Sequence, residues 1–229
     1  MPTLSVIIPT LNEAEELPET LRRAQRVPET NEIIVVDGGS SDGTPGLAER
    51  LGCRVLAAPR SRGGQMRLGA SQATGDAIVL LHADTWLPPG AGRAIFDCLQ
   101  NESLVGGGFW KRFRRRRFLM LGSRLRCAAH LYLAGLVLGD QALFVRRDVL
   151  EKVGGVPDLP LMEEFELCRR LRRVGRLALA KATVTTSERR FAKFGVFRTY
   201  ALMWRVTALY YRGTPVERLC QLYESDREC

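Results

Sequence analysis

Apolar runs alternate with amphipathic segments along the first half of the chain. Four predicted strands cover residues 4–9, 32–37, 53–58 and 76–84, and two predicted helices cover residues 13–25 and 64–73. Unbroken apolar strands that alternate with helices are typical of a parallel sheet covered on both faces. We therefore expect an α/β protein, in which ligands bind at the carboxyl ends of the strands.

The second half of the chain is less regular but contains no obvious linker. Strands are predicted at residues 105–110, 140–147 and 176–187, and helices at residues 118–134, 161–175 and 194–212. No stretch rich in Pro, Gly or Ser divides the chain. We expect one domain over residues 1–190, with residues 191–229 forming an amphipathic helix and a tail that pack on the same domain.

Polar residues stand where three of the predicted strands end. Asp37 ends the second strand, and a carboxylate there can accept hydrogen bonds from a base N–H or from ribose hydroxyls. Asp84 ends the fourth strand and can bind a divalent cation. Mg²⁺ and Mn²⁺ need only one or two carboxylates when substrate phosphates supply the remaining oxygens. A single carboxylate is therefore sufficient if a diphosphate binds beside it.

The turn after the first strand excludes two common nucleotide sites. It reads PTLNEAEEL and contains no glycine, so the backbone cannot approach a pyrophosphate as a GxGxxG turn does. The chain also lacks the GxxxxGK[ST] motif of P-loop ATPases. What remains is a nucleotide that is held by side chains at the strand ends.

Six motifs in series resemble those of the GT-A-type glycosyltransferases of family two, and in particular a bacterial branch of short, soluble family-two-like enzymes. They span about residues 3–190 and read VIIPTLNEAEELPETL, IIVVDGGSSDGT, RSRGGQMRLGA, AIVLLHADT, GDQALFVRR and LMEEFELCRRLRRVGRL. The resemblance implies a GT-A (Rossmann-like) nucleotide-diphospho-sugar transferase fold with a mostly parallel central sheet. It also implies a UDP- or GDP-sugar donor, Mn²⁺ or Mg²⁺ as cofactor, and inversion at the anomeric carbon.

The resemblance also assigns roles to the residues expected to bind the nucleotide and the metal. Pro9, Thr10, Asn12 and Glu13 match the first nucleotide-contact loop, Asp37 matches the base-binding aspartate, and Asp84 matches the second acid of an aspartate-x-aspartate motif, which binds the metal. His82 replaces the first acid of that motif. It either contacts ribose or phosphate, or ligates the metal as a neutral imidazole, or is an ordinary histidine at a strand end.

Further residues are assigned to the phosphates and to the acceptor. Arg62 and Gln65 precede the fourth strand and suit phosphate oxygens, although a solvated basic face would look the same. By the resemblance, Asp140 and Gln141 face the donor sugar and acceptor, and Glu163 and Glu164 form the acidic pair that supplies the general base. Acids also favour a helix N-terminus for electrostatic reasons alone. Arg189 and Arg190 either close over the diphosphate or lie in a solvated turn.

Three other functions compete with sugar transfer. A catalytically weak nucleotide- or nucleotide-sugar-binding protein of the same fold is an alternative because His82 and Glu164 depart from the family pattern. A sugar nucleotidyltransferase would need a glycine-rich basic loop after the first strand, which is absent. Nucleic acid is disfavoured as a partner because acids stand at the strand ends.

The basic residues are concentrated in one segment. The formal net charge is +9, and residues 111–126 alone carry eight Lys and Arg. One basic patch indicates an anionic partner, such as a lipid surface or a phosphorylated acceptor. In the predicted last helix, Arg198, Arg205 and Arg212 recur every seven residues among aromatic side chains. We expect this helix and residues 111–117 to bind an anionic membrane surface, which would suit a lipid-linked acceptor; a homodimer contact or a helix capping the core is the alternative.

The compartment is predicted from the cysteines and the N-terminus. The six cysteines are scattered without a CxxC motif, and the first residues show no basic signal-peptide region. The longest apolar stretch, residues 191–211, is interrupted by Lys193, Arg198 and Arg205, so we expect no membrane span. We predict a cytoplasmic protein that associates peripherally with the inner face of the membrane.

Overall fold

An eight-stranded mixed sheet forms the centre of the protein. The structure is a computed structural model; it describes residues 1–115 and 122–228, with side chains to residue 223. The strand order is β3-β2-β1-β4-β7-β6-β8-β5. The strands are β1 (Leu4–Thr10), β2 (Thr30–Asp37), β3 (Arg54–Ala57), β4 (Ala77–Leu80), β5 (Thr85–Trp86), β6 (Leu104–Phe113), β7 (Leu143–Arg146) and β8 (Arg176–Thr186).

Ten helices surround this sheet in the described part of the chain. They are α1 (Leu17–Gln25), α2 (Thr44–Arg50), α3 (Arg62–Ser71), α4 (Ala91–Leu99), α5 (Ser123–Ala129), α6 (Arg147–Lys152), α7 (Glu163–Leu171), α8 (Arg189–Phe194), α9 (Val196–Tyr211) and α10 (Val216–Glu228). A π-helical turn (His130–Ala134) follows α5, and a short 3-10 turn (Gly139–Gln141) precedes β7. None of the helices in residues 1–115 and 122–228 has both the length and the apolar character needed to cross a bilayer.

The parallel half of the sheet positions the predicted nucleotide residues. Strands β3, β2, β1 and β4 are mutually parallel, whereas β7 is antiparallel to both β4 and β6. Thr10 at the end of β1 lies beside Asp37 at the end of β2. The predicted α/β class is therefore confirmed. The parallel half of the sheet continues into four further strands, β7, β6, β8 and β5, of mixed direction.

Both faces of the sheet are covered, as the apolar strands predict. In β1, Val6 and Ile8 point into a core shared with α1 and α4, and Ile7 points into a second core shared with α3 and α7. Successive side chains of a strand point to opposite faces, so a strand buried on both sides must be apolar throughout. This explains why the strand reads as a continuous run rather than as an alternating pattern.

The fourth strand is shorter than predicted. It ends at Leu80, and His82 to Asp84 lie in a turn that is closed by a hydrogen bond from the Thr85 N–H to the His82 carbonyl (3.0 Å). Leu81 follows the last residue of β4 that pairs with β1, but it is buried and apolar, so the apolar run in the sequence continues past the end of the strand. The predicted helix at residues 13–25 likewise begins later, at Leu17, because residues 13–16 belong to the loop after β1.

The C-terminal segment differs from the single predicted helix. Gly195, with a φ of 81°, separates α8 from α9, and α10 was not predicted. Leu202 and Val206 of α9 and Leu219 of α10 pack on Leu161 and Met162. Residues 116–117 of the predicted membrane contact and residues 118–121 of a predicted helix lie outside the described residues.

Candidate active site

Asp37 is held by hydrogen bonds from both loops at the ends of β1 and β2. Its Oδ1 accepts from the hydroxyls of Thr10 (3.0 Å) and Ser40 (2.5 Å), and its Oδ2 accepts from the N–H groups of Gly39 (2.9 Å) and Ser40 (2.8 Å). Burial opposes ionisation, but the hydrogen bonds from Ser40, Gly39 and Thr10 outweigh it and lower the pKa of Asp37. The carboxylate is therefore ionised at neutral pH.

The same bonds limit what else Asp37 can bind. A carboxylate offers about four acceptor positions, and four hydrogen bonds from this chain already occupy them. Its side chain is also nearly buried. A base N–H can bind Asp37 only if a hydroxyl, such as that of Ser40, rotates away.

Asn12 joins the first loop to the second. It has a left-handed backbone (φ 55°), which asparagine tolerates better than most residues. Its Oδ1 accepts from the Ser41 N–H (2.9 Å), and its own N–H donates to the Ser40 hydroxyl (2.8 Å). Asp42 adds a second link by accepting from the Ala14 N–H (3.0 Å). The two loops therefore form one rigid wall beside Asp37.

Arg189, at the start of α8, contacts a second pair of acidic side chains, those of Glu13 and Asp84. Arg189 Nη2 donates to both carboxylate oxygens of Glu13, at 2.5 and 2.7 Å, and its Nε lies 3.5 Å from Asp84 Oδ2. Burial raises the pKa of both Glu13 and Asp84, and the Arg189 charge opposes that rise. Pro9 lies within β1, behind this group.

Asp84 fits a metal site that the substrate completes. Its side chain is one-fifth exposed. Residues 1–115 and 122–228 contain no cluster of three or more His, Cys, Asp or Glu that could hold a metal by itself. A hard cation with one carboxylate and several phosphate oxygens is an ordinary arrangement for Mg²⁺. The donor set here therefore suits a cation that arrives with a diphosphate.

A partly exposed arginine joins the two buried acids at the start of α7. Arg62, at the start of α3, donates from Nε to Glu163 Oε1 and from Nη2 to both carboxylate oxygens of Glu164 (3.1 Å each). The side chain of Glu163 is 1% exposed and that of Glu164 is 9% exposed. Burial raises the pKa of Glu164, the Arg62 charge opposes that effect, and the neighbouring Glu163 adds to it.

His82 completes this group from the turn after β4. Its Nε2 lies 3.9 Å from Glu164 Oε1. Burial, followed by the charge of Arg62, lowers the pKa of His82 to about 4, so the imidazole is neutral at pH 7. Gly139 packs against both side chains, and a Cβ at that position would collide with them.

Lys111 and Asp140 form the far side of the same group. Lys111 Nζ donates to Asp140 Oδ2 at 2.5 Å. Burial opposes ionisation of Asp140, but the Lys111 charge and hydrogen bond outweigh it and lower the pKa of Asp140. Lys111 is therefore a site residue that the sequence interpretation missed. The available signal was its spacing of two residues from Phe109 and from Phe113, which puts Lys111 on the buried face of β6 once the strand extends beyond the predicted residues 105–110.

The burial of Lys111 corrects the predicted basic surface. Lys111 was expected to bind a membrane, but it is 7% exposed. The guanidinium of Arg114 also binds within the protein: it donates from Nη1 to Glu16 Oε2 (2.5 Å) and from Nη2 to the Asp84 carbonyl (2.8 Å). Arg112 and Arg115 are exposed, so the basic side chains of residues 111–115 divide between the interior and the surface.

Three polar atoms in this group are buried without a partner among the described residues. They are His82 Nε2, Asp140 Oδ1 and Glu163 Oε2. Buried polar atoms are almost always hydrogen-bonded in proteins, so unpaired ones indicate an absent ligand or water. Three such atoms in one cluster of charged side chains favour a polar ligand with several hydroxyl groups.

Gln65 and Gln141 lie at the site but bind the backbone. Gln65 Nε2 donates to the carbonyls of Thr10 (2.9 Å) and Val36 (2.7 Å). Gln141 Nε2 donates to the Phe109 carbonyl (3.2 Å), and its Oε1 accepts from the Leu138 N–H (3.1 Å). Gln65 therefore holds the ends of β1 and β2 together, and Gln141 joins the 3-10 turn to the middle of β6; their contact with substrate stays a prediction.

Sequence comparison relates the chain to sugar transferases. The family described as Glycosyl transferase family 2 matches residues 5–154. The chain is 31% identical over 160 residues to the undecaprenyl-phosphate 4-deoxy-4-formamido-L-arabinose transferase of Sodalis glossinidius; the match covers 62% of this chain and 48% of that protein. The chain thus spans about half the length of this relative.

Structure comparison identifies the fold. The mannosyltransferase PcManGT from Pyrobaculum calidifontis, in complex with GDP-Man and Mn²⁺, has a TM-score of 0.65 at 20% identity over 80% of this chain and 56% of that one. Glucosyl-3-phosphoglycerate synthase from Mycobacterium tuberculosis, in complex with Mn²⁺ and UDP-glucose, has a TM-score of 0.59 at 22% identity over 81% and 70%. The GT-A fold is confirmed. Because the family match covers more than half of its length, this chain belongs to glycosyl transferase family 2.

Proposed function

We propose that the protein is an inverting glycosyltransferase that moves a sugar from a nucleotide-diphospho-sugar to an acceptor hydroxyl. The observation that carries the proposal is the group of Arg62, Glu163, Glu164, His82 and Asp140, in which both glutamates are buried and three polar atoms lack a partner among the described residues. This group lies at the same edge of the sheet as the loops around Asp37 and Asp84. A sugar linked to a nucleoside diphosphate needs both halves of such a site.

The donor half is assigned to the nucleotide and its phosphates. The loops at Asn12 and Asp37 receive the nucleoside, and Asp84 holds a divalent cation, Mn²⁺ or Mg²⁺, which when bound neutralises charge on the departing diphosphate. Arg189 is placed to exchange its bonds with Glu13 and Asp84 for phosphate oxygens. The structural neighbours in complex with GDP-Man and with UDP-glucose support a GDP- or UDP-sugar.

The acceptor half is assigned to the acidic pair. The acceptor oxygen attacks the anomeric carbon, the bond from that carbon to the diphosphate oxygen breaks, and the acceptor proton passes to a carboxylate. Glu164 suits this role for two reasons. Its burial raises its pKa, which makes it a better proton acceptor, and its side chain still reaches the surface (9% exposed) more than that of Glu163 (1%). Glu163 then serves mainly to hold Arg62. The neutral imidazole of His82 and the ionised carboxylate of Asp140 then bind sugar hydroxyls.

A lipid-linked acceptor is the second part of the proposal. Its support is that the relatives are undecaprenyl-phosphate sugar transferases. The match covers about half of such a protein, so the acceptor is not carried over by membership of the family. A peripheral position at the cytoplasmic face of the membrane would agree with this acceptor.

A catalytically weak nucleotide-binding protein of the same fold is the competing candidate. The observation that favours it is that Arg62 pairs with both acids of α7, because its charge makes the Glu164 carboxylate a weaker base. A sugar nucleotidyltransferase has no comparable support, because the loop after β1 lacks glycine.

The two candidates are separated by binding and then by turnover. Thermal unfolding is measured with UDP, GDP and their glucose and mannose conjugates, with and without Mn²⁺, since a ligand that binds the native state raises its stability. Stabilisation that requires metal supports the donor site. Release of sugar from the same donor then supports the enzyme, and metal-dependent binding without release favours the binding protein. No stabilisation by any nucleotide would refute both.

A further inference from the structure

Helix α9 exposes two parallel stripes of side chains. Phe197, Trp204 and Tyr211 are spaced by seven residues and are 76%, 75% and 65% exposed. The next residue after each is an exposed arginine, namely Arg198, Arg205 and Arg212. Seven residues make almost two turns of an α-helix, so each set forms a line along the axis. We call these six residues the α9 face.

The opposite side of α9 fixes the helix to the protein. Thr199, Leu202 and Val206 are buried there, and the last two belong to the cluster that contains Leu161 and Leu219. The helix is therefore anchored through one side. Tyr211 at the end of the stripe makes an edge contact with Phe165, which packs on this cluster, but Phe197 and Trp204 are not members of the cluster and stay about three-quarters exposed, although aromatic side chains are costly to leave in water.

Exposed apolar side chains are concentrated around this helix. Nine large ones are exposed in the described part of the chain, and six of them lie on α9, on α5 or on the turn after α5. Helix α5 is a neighbour of α9, since the Arg126 guanidinium lies 5.1 Å from the ring centre of Tyr200. The six are Leu125, Tyr132, Leu133, Phe197, Trp204 and Tyr211. Such a concentration is typical of a binding surface rather than of scattered surface residues.

The charges beside the aromatic stripe identify the partner. Residues 189–216 contain no Asp or Glu, so no acidic residue of α8 or α9 opposes an anionic ligand. Aromatic rings at headgroup depth with arginines reaching lipid phosphates are the pattern of a helix that lies in a membrane interface. A second copy of this chain would instead bring a like-charged stripe into the contact, which is unfavourable.

We propose that the α9 face docks the protein on an anionic lipid bilayer, with the helix lying in the plane of the interface. This surface is distinct from the predicted basic segment at residues 111–117. It also lies close in sequence to the candidate active site, because α8, which precedes α9, begins at Arg189. The proposal concerns membrane attachment and does not require the proposed transferase activity.

Vesicle sedimentation tests the proposal directly. The intact protein is mixed with phosphatidylcholine vesicles that either contain or lack phosphatidylglycerol, at low and at high salt. We expect it to sediment with the anionic vesicles at low salt and to be released by salt, because screening weakens the arginine contacts. The paired variant Arg205→Glu with Arg212→Glu should lower binding by at least about tenfold. Arg93→Glu, at an exposed arginine of α4, is the matched control.

The aromatic stripe is tested in the same way. Phe197→Ser with Trp204→Ser should also abolish sedimentation, whereas Val174→Ser, at another exposed apolar residue, should not. Circular dichroism and thermal unfolding establish that each variant is folded. Failure of the folded wild-type protein to bind anionic vesicles at low salt overturns the proposal. So does a dimer in light scattering that the Trp204 variant dissociates, because the α9 face would then be a contact between copies.

Discussion

Arg189 binds both carboxylate oxygens of Glu13, at 2.5 and 2.7 Å, although 176 residues separate them. The same guanidinium lies 3.5 Å from Asp84. One cation from α8 therefore neutralises two acids that the sequence places in the donor site. We predict that a diphosphate and its cation displace this guanidinium from the two acids.

Replacing Arg189 tests whether it serves the diphosphate. Arg189→Ala should lower stability by only about 1 kcal/mol, because a half-exposed ion pair contributes little. It should weaken binding of UDP or GDP with Mn²⁺ by about tenfold, the loss of roughly one charge-assisted hydrogen bond. Calorimetric titration measures this. Arg93→Ala, at an exposed arginine of α4, should change neither quantity; unaltered nucleotide affinity in Arg189→Ala would assign the residue to structure alone.

Asp84→Asn should uncouple nucleotide binding from metal. The carboxylate is partly buried and this burial raises its pKa, so the neutral amide should leave the stability of the free protein unchanged or slightly higher. The metal-dependent increase in melting temperature, about 6–10 °C at a ligand concentration of 100 times Kd, should disappear. Asp97→Asn, at an exposed residue of α4, is the control. Persistence of the metal effect in Asp84→Asn would contradict the assignment.

The acidic pair is tested by comparing neighbouring substitutions. Glu164→Gln should lower kcat by roughly 100- to 10,000-fold with little change in donor affinity, because a general base acts in the transition state. Glu164→Asp should retain part of the activity. Glu166→Gln, on the same first turn of α7 but paired with Arg169 and Arg170, should be nearly normal. If Glu163→Gln lowers kcat while Glu164→Gln does not, the two roles are exchanged.

The stability of the protein should fall in mild acid because of His82. Its pKa is lowered from 6.5 to about 4, so the unfolded chain binds a proton in that interval and the folded protein does not. The contribution is therefore fully present above pH 6.5 and is lost as the pH falls towards 4, with an upper limit of about 3 kcal/mol. Urea unfolding between pH 7 and pH 4 measures it.

The variant His82→Gln should flatten that pH dependence. The chain has only one other histidine, His130, whose pKa burial also lowers. His130→Gln is therefore the matched control, and it should keep most of the slope. An equally steep loss of stability in His82→Gln would show that other groups cause it.

Gly139 is predicted to be essential for the packing of His82 against Glu164. A Cβ at this position would collide with the ends of His82 and Glu164. Gly139→Ala should destabilise the protein by about 1–3 kcal/mol and reduce turnover. Gly90→Ala, where no atom lies near the added Cβ, should do neither. Adding His82→Ala to Gly139→Ala should recover part of the stability, since it removes one of the two colliding groups.

Local patterns explain which parts of the fold were predictable. The strands β1 and β2 are unbroken apolar runs, and their bounds agree with the sequence to within two residues. The end of β4 was wrong because Leu81 stays apolar after pairing stops. The break at Gly195 was missed because the apolar pattern continues through it, whereas the backbone there has a positive φ.

The candidate site divides in the same way. By itself, the sequence determined the α/β class, the polar residues at the strand ends and the family motifs, because these follow from periodicity and residue type over short stretches. Only the tertiary structure decided that Arg189 pairs with Glu13, Arg62 with Glu163 and Lys111 with Asp140, across 176, 101 and 29 residues. Strand order sets these contacts, and a charged side chain looks the same in sequence whether it faces water or a buried partner.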